Sequence, residues 1–391
     1  KGDRVSTKNL ALGLNTMTTD FINAYVTGSV GTTFTSSGAC ATFLYNLKTA
    51  VQDMQAGRIR VAIVGSAEAP ITPEIVEGFG NMGALANEEG LKKLDGMDKA
   101  DHRRTSRPFG NNCGFTIGEG AQFIVLMDDE LVLELGAKVL GSVPDVFINA
   151  DGIKKSITAP GPGNYITMAK SVALAKNILG DKALKERSFI LAHGSSTPQN
   201  RVTESHIYHR IAETFAIDAW PVVAPKAFVG HTIGPASGDQ MAMALGVFAH
   251  NIMPGITTID EVAADVFDEH LHIATKHWQC DAMDIAFINS KGFGGNNATA
   301  TVLSPSVSLS MLAKRHGVKA MADYNEKLIN VEIAQKNYQE NADLGQFNII
   351  YKFGEGLIDD SQLELTADSI NMPGFEHLID LPKTNPFDDM C

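Results

Sequence analysis

Hydrophobic and polar positions along the chain form two kinds of pattern, short apolar runs and longer amphipathic segments. The apolar runs are rich in β-forming residues and predict buried strands at residues 60–65, 122–127, 188–192 and 284–289. The longer segments have helical periodicity and predict α-helices at residues 41–56, 164–179, 202–215 and 238–250. Strands that alternate with helices indicate an α/β fold with layers around a mainly parallel sheet.

Two sections of the chain share this α/β character, and the remainder differs from them. We predict two halves at residues 1–130 and 131–305, each ending in a glycine-containing turn after a strand. Residues 306–345 have a polar, helical pattern, and the chain from residue 351 onward is acidic and contains three prolines. We therefore interpret residues 306–391 as an acidic C-terminal extension.

The balance of charge excludes some classes of function. The 391 residues include 32 Lys and Arg against 45 Asp and Glu, which gives a formal net charge of −13. Such a protein is a poor general binder of nucleic acid or of anionic membranes, because both require a basic surface. Residues 331–391 alone hold 12 acidic and 3 basic side chains, so most of the net charge belongs to the end of the chain.

Other features of the sequence bear on where the protein works. No apolar run is long enough to cross a bilayer, and the opening residues lack the apolar core of a signal peptide. The first residue is Lys1 rather than Met, which predicts a fragment or a processed piece. The four cysteines lie far apart and form no CxxC pair, which indicates a reducing compartment, and we expect a cytoplasmic protein.

Cys40 is the first candidate for chemistry, because small residues surround it in the stretch SSGACAT at 36–42. These residues permit a sharp turn that presents the thiol at the N-terminus of the helix that follows. The positive end of the helix dipole favours the thiolate and predicts a lowered thiol pKa, which suits a nucleophile. Taken alone, a single cysteine is more often a small buried hydrophobic residue.

Three further motifs place polar or glycine residues where a strand ends or a helix begins. They are HGSSTP at 193–198, KAFVGH at 226–231 and NSKGFGGNN at 289–297. Active sites of open α/β sheets lie at the carboxyl ends of the strands, so these segments are candidates for one site. The glycine-rich segment lacks the Lys-Ser/Thr ending of a phosphate-binding loop.

The order and spacing of these motifs resemble the β-ketoacyl-[acyl-carrier-protein] synthases, condensing enzymes of the thiolase superfamily with a Cys-His-His site. The resemblance also includes GFG at 78–80, RPF at 107–109 and GEGA at 118–121. It implies a thiolase-like fold, in which duplicated βαβαβ halves form a layered αβαβα core. The family's N-terminal part is not present here, so we expect the first half to be incomplete in this chain.

The resemblance implies a role for each matched residue. Cys40 would be the nucleophile that accepts an acyl group, and His193 and His231 would bind the thioester carbonyl of malonyl-carrier protein. The backbone N–H groups of Cys40 and Phe293 would form the oxyanion hole, and Phe293 would also gate the site. Lys226 would structure the site.

The remaining matched residues are implied to bind substrate or to support the site. Ser195 and Thr197 match hydroxyls that hold the pantetheine arm, and we assign substrate contact also to Phe79 and Gly294. The supporting residues are Glu204, which matches an acidic partner of the site, and Asn297.

The activity implied is the decarboxylative Claisen condensation of an acyl thioester with malonyl-acyl carrier protein in fatty acid biosynthesis. The expected partners are acyl carrier protein, a small-molecule acyl thioester and a second copy of the chain in a homodimer. No cofactor is expected, because phosphopantetheine arrives on the carrier protein. A basic run at residues 92–107 is a candidate docking surface for that carrier.

Alternatives remain open at this point. The protein could be an initiating synthase that uses acetyl-CoA, a non-catalytic partner subunit, or a binding module with the same fold. A non-catalytic subunit typically lacks the cysteine, and an initiating Cys-His-Asn enzyme would carry Asn in place of His231. Two departures from the family stand near the motifs: Lys291 replaces a usual Phe, and Gln240 replaces a common Glu, with Asp239 beside it.

Several histidines near the end of the second half raise the question of a metal. His270, His272, His277 and Cys280 lie close in sequence, and strand alternation would put the first two on one face. No second cysteine pair closes a structural zinc site there. We expect a surface strand with several histidines and no metal.

Overall fold

The computed structural model describes residues 11–156, 159–346, 350–351 and 353–390. Its helices are α1 Met17–Phe21, α2 Thr42–Gln55, α3 Pro73–Asn81, α4 Glu88–Asp95, α5 Asp129–Leu135, α6 Gly163–Glu186, α7 Pro198–Phe215, α8 Lys226–Val229, α9 Ala236–His250 and α10 Pro305–Asp343. Its strands are β1 Val61–Glu68, β2 Gly120–Met127, β3 Ser142–Ala150, β4 Ser188–Leu191, β5 Trp220–Val223, β6 Ile252–Met253, β7 Leu271–His272, β8 Trp278–Gln279, β9 Ile285–Gly292, β10 Asn296–Leu303, β11 Glu364–Leu365, β12 Ser369–Asn371 and β13 Ile379–Asp380. The four predicted strands and four predicted helices are confirmed, with boundaries that differ by at most seven residues.

The chain divides into two compact units. One unit contains residues 34–346, and the other combines residues 1–33 with residues 347–391. The predicted boundaries at residues 130 and 305 remain predictions, and the first ten residues of the predicted N-terminal half lie outside the described part of the chain. None of the described helices combines the length and the apolar character needed to span a bilayer.

The centre of the larger unit is a six-stranded sheet in the order β3-β10-β9-β4-β5-β7. Strands β9, β4, β5 and β7 pair in parallel, whereas β10 is antiparallel to both β9 and β3. The sheet is therefore mainly parallel, as predicted, and β10 is the strand that makes it mixed. The reason is local: only residues 293–295 separate β9 from β10, and so short a turn permits only an antiparallel pair.

Two apolar cores lie on opposite faces of this sheet. Helices α6 and α7 cover one face around residues such as Trp220 and Phe287. Helices α2 and α9 cover the other face around Phe43 and Phe189, and they separate the sheet from the antiparallel pair β1–β2. This stacking of helices, sheet, helices and sheet brings the start of α2 to the carboxyl ends of β4 and β9.

The predicted helix at residues 306–345 is confirmed by α10, which has a kink at Gly317 (φ 82°). Tyr324 on α10 is buried and donates a hydrogen bond to the Ala137 carbonyl oxygen (3.0 Å). Arg315 and His316 contact the Asp129 carboxylate at 2.6 and 2.8 Å, near the start of α5. These contacts pack α10 against α5, so this part of the predicted extension is integrated into the larger unit.

The smaller unit joins residues from both ends of the chain. Helix α1 continues into a π-helical turn, Ile22–Thr27, and β11, β12 and β13 form an antiparallel three-stranded sheet. An aromatic cluster connects the two ends: the rings of Tyr25 and Phe353 stack at 4.2 Å, and Phe21 contacts Tyr351 and Phe353.

Candidate active site

Cys40 lies in a sharp turn immediately before α2, as its small neighbours predict. Ala39 adopts a left-handed backbone conformation (φ 49°), which is uncommon for a residue with a side chain and is typical of functional turns. The Thr42 hydroxyl fixes the turn by donating to the Ala39 carbonyl oxygen (2.7 Å) and accepting from the Gly38 N–H (3.0 Å). The thiol is therefore held at the N-terminus of α2, with only 5% of the residue exposed.

Burial reverses the predicted direction of the shift in the thiol pKa. The position at a helix N-terminus predicts a lowered value, but burial raises the pKa of Cys40 to about 11, and the carboxylate of Glu68 also raises it. The positive charge of Lys226 opposes this shift. The prediction was wrong because it considered the helix dipole without the cost of forming an anion in an apolar surrounding. Cys40 is a thiol at neutral pH.

The loop between β9 and β10 closes over the sulfur. A Cβ atom at Gly292 would lie 2.2 Å from the Gly38 carbonyl oxygen, so only glycine permits this close approach. The backbone N–H groups of Phe293 and Cys40 both face the sulfur, where they lower the thiol pKa. The structure thus brings together the two donors that the sequence proposed for an oxyanion hole.

His193 and His231 lie side by side beside this pair of donors. Their ring centroids are 5.3 Å apart, with the ring planes at 87°. Nδ1 of His231 accepts a hydrogen bond from the Ile233 N–H (3.1 Å), which places the ring proton on Nε2. Burial and the charge of Lys226 hold the pKa of each histidine well below its ordinary value. Both rings are therefore neutral at pH 7, and His231 can donate through Nε2.

Lys226 is the buried cation of the site. Its Nζ donates to the His193 carbonyl oxygen (2.5 Å) and lies 3.5 Å from His193 Nδ1. Burial lowers the pKa of Lys226 to about 8, while the nearby Cys40 and Glu204 raise it. Lys226 thus fixes the backbone of His193, and its charge favours the neutral state of both imidazoles.

Glu204 on α7 holds the loop that carries His193. Its two carboxylate oxygens accept the backbone N–H groups of His193 (2.6 Å) and Gly194 (2.8 Å). They also accept the Tyr208 hydroxyl (2.5 Å) and the Asn200 amide (2.8 Å). Glu204 is completely buried, so these donors replace the water that its charge has lost. The predicted supporting role for Glu204 fits this position.

The remaining predicted residues lie around the same loops. The rings of Phe79 and Phe293 are 6.2 Å apart, and Gly294 is exposed with a φ of 89°. The hydroxyls of Ser195 and Thr197 are 3.2 Å apart at the start of α7. The buried amide of Asn297 donates to Asp151 (2.8 Å) and to the Gly295 carbonyl oxygen (3.2 Å). The roles predicted for these side chains remain predictions.

Sequence reasoning missed several side chains next to the nucleophile. The Ser290 hydroxyl donates to the Cys40 carbonyl oxygen (3.0 Å), and the Phe115 ring contacts His231 at 5.2 Å. Glu68 accepts the Gly234 N–H (2.8 Å), and burial raises its pKa. Glu68 is the last residue of β1, and Ser290 lies near the end of β9. Their positions at strand ends were the signal in the sequence that could have identified them.

Gln240, the residue in place of a family Glu, ties two strand ends together. It is completely buried, and its Nε2 donates to the carbonyl oxygens of Leu191, Ala192 and Asn289, each at 2.8 Å. Leu191 ends β4 just before His193, and Asn289 precedes Ser290 on β9. An amide donor is required here, because three acceptors converge on one point.

Gln240→Glu is expected to destabilise the protein strongly. The carboxylate would face three carbonyl oxygens with no proton to donate, which costs about 3–5 kcal/mol of unfolding free energy. Urea denaturation followed by circular dichroism measures the difference in unfolding free energy between the variant and the wild type. This difference should shrink as the pH is lowered and the carboxyl group protonates. Gln199→Glu, at an exposed position in the first turn of α7, is the matched control and should change stability by less than about 0.5 kcal/mol. Equal stability of the two variants at pH 7 would contradict the assigned contacts.

Two family models match the sequence in succession. Residues 16–131 match the model described as "Beta-ketoacyl synthase, N-terminal domain", and residues 140–260 match "Beta-ketoacyl synthase, C-terminal domain". Together they cover more than half of the chain.

Individual relatives give the same result. The chain is 55% identical over all its 391 residues to β-ketoacyl-[acyl-carrier-protein] synthase FabY of Pseudomonas aeruginosa, and it spans 62% of that protein's length. It is 30% identical over 276 residues to 3-oxoacyl-[acyl-carrier-protein] synthase 2 of Synechocystis, covering 67% of this chain and 59% of the relative. The crystal structure of the ketosynthase FabY from P. aeruginosa superposes with a TM-score of 0.97 at 54% identity, over 99% of this chain and 61% of that one.

Proposed function

Because the chain belongs to the β-ketoacyl synthase family, we propose that it is part of an acyltransferase that condenses an acyl thioester with malonyl-acyl carrier protein in fatty acid biosynthesis. The observation that carries this proposal is the grouping around Cys40: two backbone N–H donors face its sulfur, and two neutral histidines lie beside them. The names of FabY and of the Synechocystis synthase support it, since both are described as acyl-carrier-protein synthases.

Acyl transfer is the first step of the proposed reaction. The sulfur of Cys40 attacks the thioester carbonyl, the carrier's thiol leaves, and the proton lost by Cys40 ends on that thiol. Since burial raises the pKa of Cys40 to about 11, the proton must leave as the bond to carbon forms. The N–H groups of Cys40 and Phe293 would stabilise the oxygen anion, and the charge of Lys226 favours the developing thiolate.

Decarboxylation and condensation form the second step. The malonyl thioester loses CO₂, and the electron pair of the broken bond becomes an enolate on the thioester. Donation from His231 Nε2, and from His193, would stabilise the enolate oxygen. The carbanion then attacks the carbonyl carbon of the acyl group on Cys40. The bond from that carbon to the Cys40 sulfur breaks, and the resulting thiolate takes a proton from solvent. No bound cofactor takes part in this scheme, because the phosphopantetheine arrives with the carrier protein.

Lys291 favours a second candidate, in which the donor is a short acyl group such as that of acetyl-CoA. The family resemblance places a Phe at this position. In this chain the residue is a lysine, whose pKa is lowered by burial and whose charge helps to lower the pKa of His193. A cation in this place opposes the passage of a long apolar chain. A priming role would therefore suit the site better than elongation of long chains.

The exposed part of the basic run at residues 92–107 supports docking of the acidic carrier protein. Lys93, Lys99 and Arg103 are exposed. Arg107 does not contribute as the sequence suggested, because it is buried and forms a two-point ion pair with Asp95 (2.6 and 2.7 Å). The proposal also includes a homodimer, by family resemblance, and a cytoplasmic location, which the separated cysteines support.

One assay tests the function and separates the two candidates. Purified protein receives malonyl-acyl carrier protein with either medium-chain acyl-acyl carrier protein or acetyl-CoA, and mass spectrometry measures the β-ketoacyl product. We expect a carrier-bound β-ketoacyl product lengthened by two carbons and none when malonyl-acyl carrier protein is omitted. A higher rate with acetyl-CoA would support the priming role, and no product with either donor would contradict the proposed function.

A further inference from the structure

Three side chains with metal-binding donors meet on α7 and beside β7, away from the residues assigned to the candidate active site. His209 lies on α7, whereas Glu269 and His270 immediately precede β7, the edge strand of the six-stranded sheet. One donor atom from each of the three lies within 4.8 Å of the others. The sequence could not reveal this cluster, because about 60 residues separate His209 from the other two.

The two histidines lie against each other, and one ring nitrogen of His209 lacks a partner in the part of the chain that the structure describes. Their rings stack at a centroid distance of 5.2 Å and an angle of 23°. Nδ1 of His209 is buried and has no hydrogen-bond partner among the described residues. Nδ1 of His270 lies 3.3 Å from the Asp218 carboxylate. A buried ring nitrogen without a partner is costly, and a ligand that accepts its lone pair would remove that cost.

We propose that His209, Glu269 and His270 form a binding site for one divalent transition-metal ion, with Zn²⁺ as the best fit. Two imidazoles and one carboxylate are a common donor set for zinc, whereas calcium and magnesium prefer oxygen donors alone. Donors around tetrahedral zinc lie roughly 3.3 Å apart, so small side-chain rotations close the observed cluster around an ion. Water completes the coordination.

The site joins helix α7 to the segment that leads into β7. Helix α7 also carries Glu204, while β7 is an edge strand that pairs with β5 among the strands that the structure describes. An ion bound to both elements would fasten the sheet edge to the helix. Its effect is therefore on stability: an ion that binds only the folded state raises the unfolding temperature as its concentration rises.

His272 does not belong to this cluster, although it lies two residues from His270. Its ring contacts Trp278 at a centroid distance of 4.9 Å. The proposed site thus shares only His270 with the group that the sequence suggested and for which no metal was expected, namely His270, His272, His277 and Cys280. The site depends on the packing of α7 against the sheet edge.

Direct measurement of zinc binding tests the proposal. The protein is freed of metal with a chelator, dialysed against ZnCl₂ at pH 7.5 and assayed for bound zinc by mass spectrometry, while differential scanning fluorimetry follows the unfolding temperature. We expect one zinc ion per chain from this site and a zinc-dependent rise in unfolding temperature. His270→Ala and Glu269→Gln, both near the surface, should each weaken that binding by at least about tenfold, as loss of a ligand does.

Matched controls separate this site from adventitious binding. His250→Ala removes an exposed histidine at the end of α9 and should leave both zinc content and the temperature rise unchanged. Binding should also weaken as the pH is lowered, because protonated imidazole does not bind metal. No bound zinc at pH 7.5, or equal binding by the wild type and both ligand variants, would overturn the proposal.

Discussion

Cys40→Ala is expected to abolish acyl transfer and condensation while malonyl decarboxylation continues. The substitution removes the thiol that carries the acyl chain in the proposed mechanism, so the condensation rate should fall by at least about 10³-fold. His193 and His231, which are held by Glu204, Lys226 and the backbone, keep their positions without the thiol. The measurement compares β-ketoacyl product with CO₂ released from malonyl-acyl carrier protein.

A second cysteine supplies the control for this variant. Cys280 is partly buried between β8 and β9 and is not near the nucleophile turn in any described contact. Cys280→Ala should therefore retain both acyl transfer and condensation. If Cys40→Ala condensed substrates at the wild-type rate, the assignment of the nucleophile would have to be abandoned.

His231→Ala is expected to lose decarboxylation selectively. Its Nε2 proton is fixed by the bond between Nδ1 and the Ile233 N–H, so the ring is oriented as a donor before substrate arrives. Removing one such donor costs about 10²–10³ in rate. CO₂ release from malonyl-acyl carrier protein should fall by that factor, while transfer of the acyl group to Cys40, measured by mass spectrometry of the acylated protein, should persist.

The conservative variant distinguishes donation from structural damage. His231→Asn keeps an amide that can donate a hydrogen bond, and we expect it to recover part of the lost CO₂ release. His250→Ala serves as the control for loss of a histidine outside the site. Full CO₂ release by His231→Ala would refute the enolate-stabilising role. A folded variant in which the rates of acylation and decarboxylation fall equally would also refute it.

The local elements followed from the sequence because their causes are local. Short apolar runs placed the strands, period-3.6 patterns placed the helices, and small residues around Cys40 predicted its turn. The thiolate prediction failed because burial is not a local property. Burial of Cys40 depends on the loop at Gly292, about 250 residues away in sequence, which packs against the turn.

The thiolase-like fold expected from the motifs is confirmed by the match to the ketosynthase FabY over nearly the whole chain. The mainly parallel sheet was also predicted, but the antiparallel course of β10, which the short turn before it imposes, was not. Helical and strand periodicity report which residues face a core, but they do not report how neighbouring strands are ordered or directed.

The sequence by itself therefore determined the candidate side chains of the site and the segments that present them. Motif spacing was sufficient to select Cys40, His193, Lys226 and His231, since each lies at the end of a strand or the start of a helix. Tertiary structure alone decided their chemical states: the raised pKa of the thiol, the neutral imidazoles and the buried carboxylate beneath them. These properties depend on burial and on donors from distant segments, so they exist only once the sheet has brought those segments together.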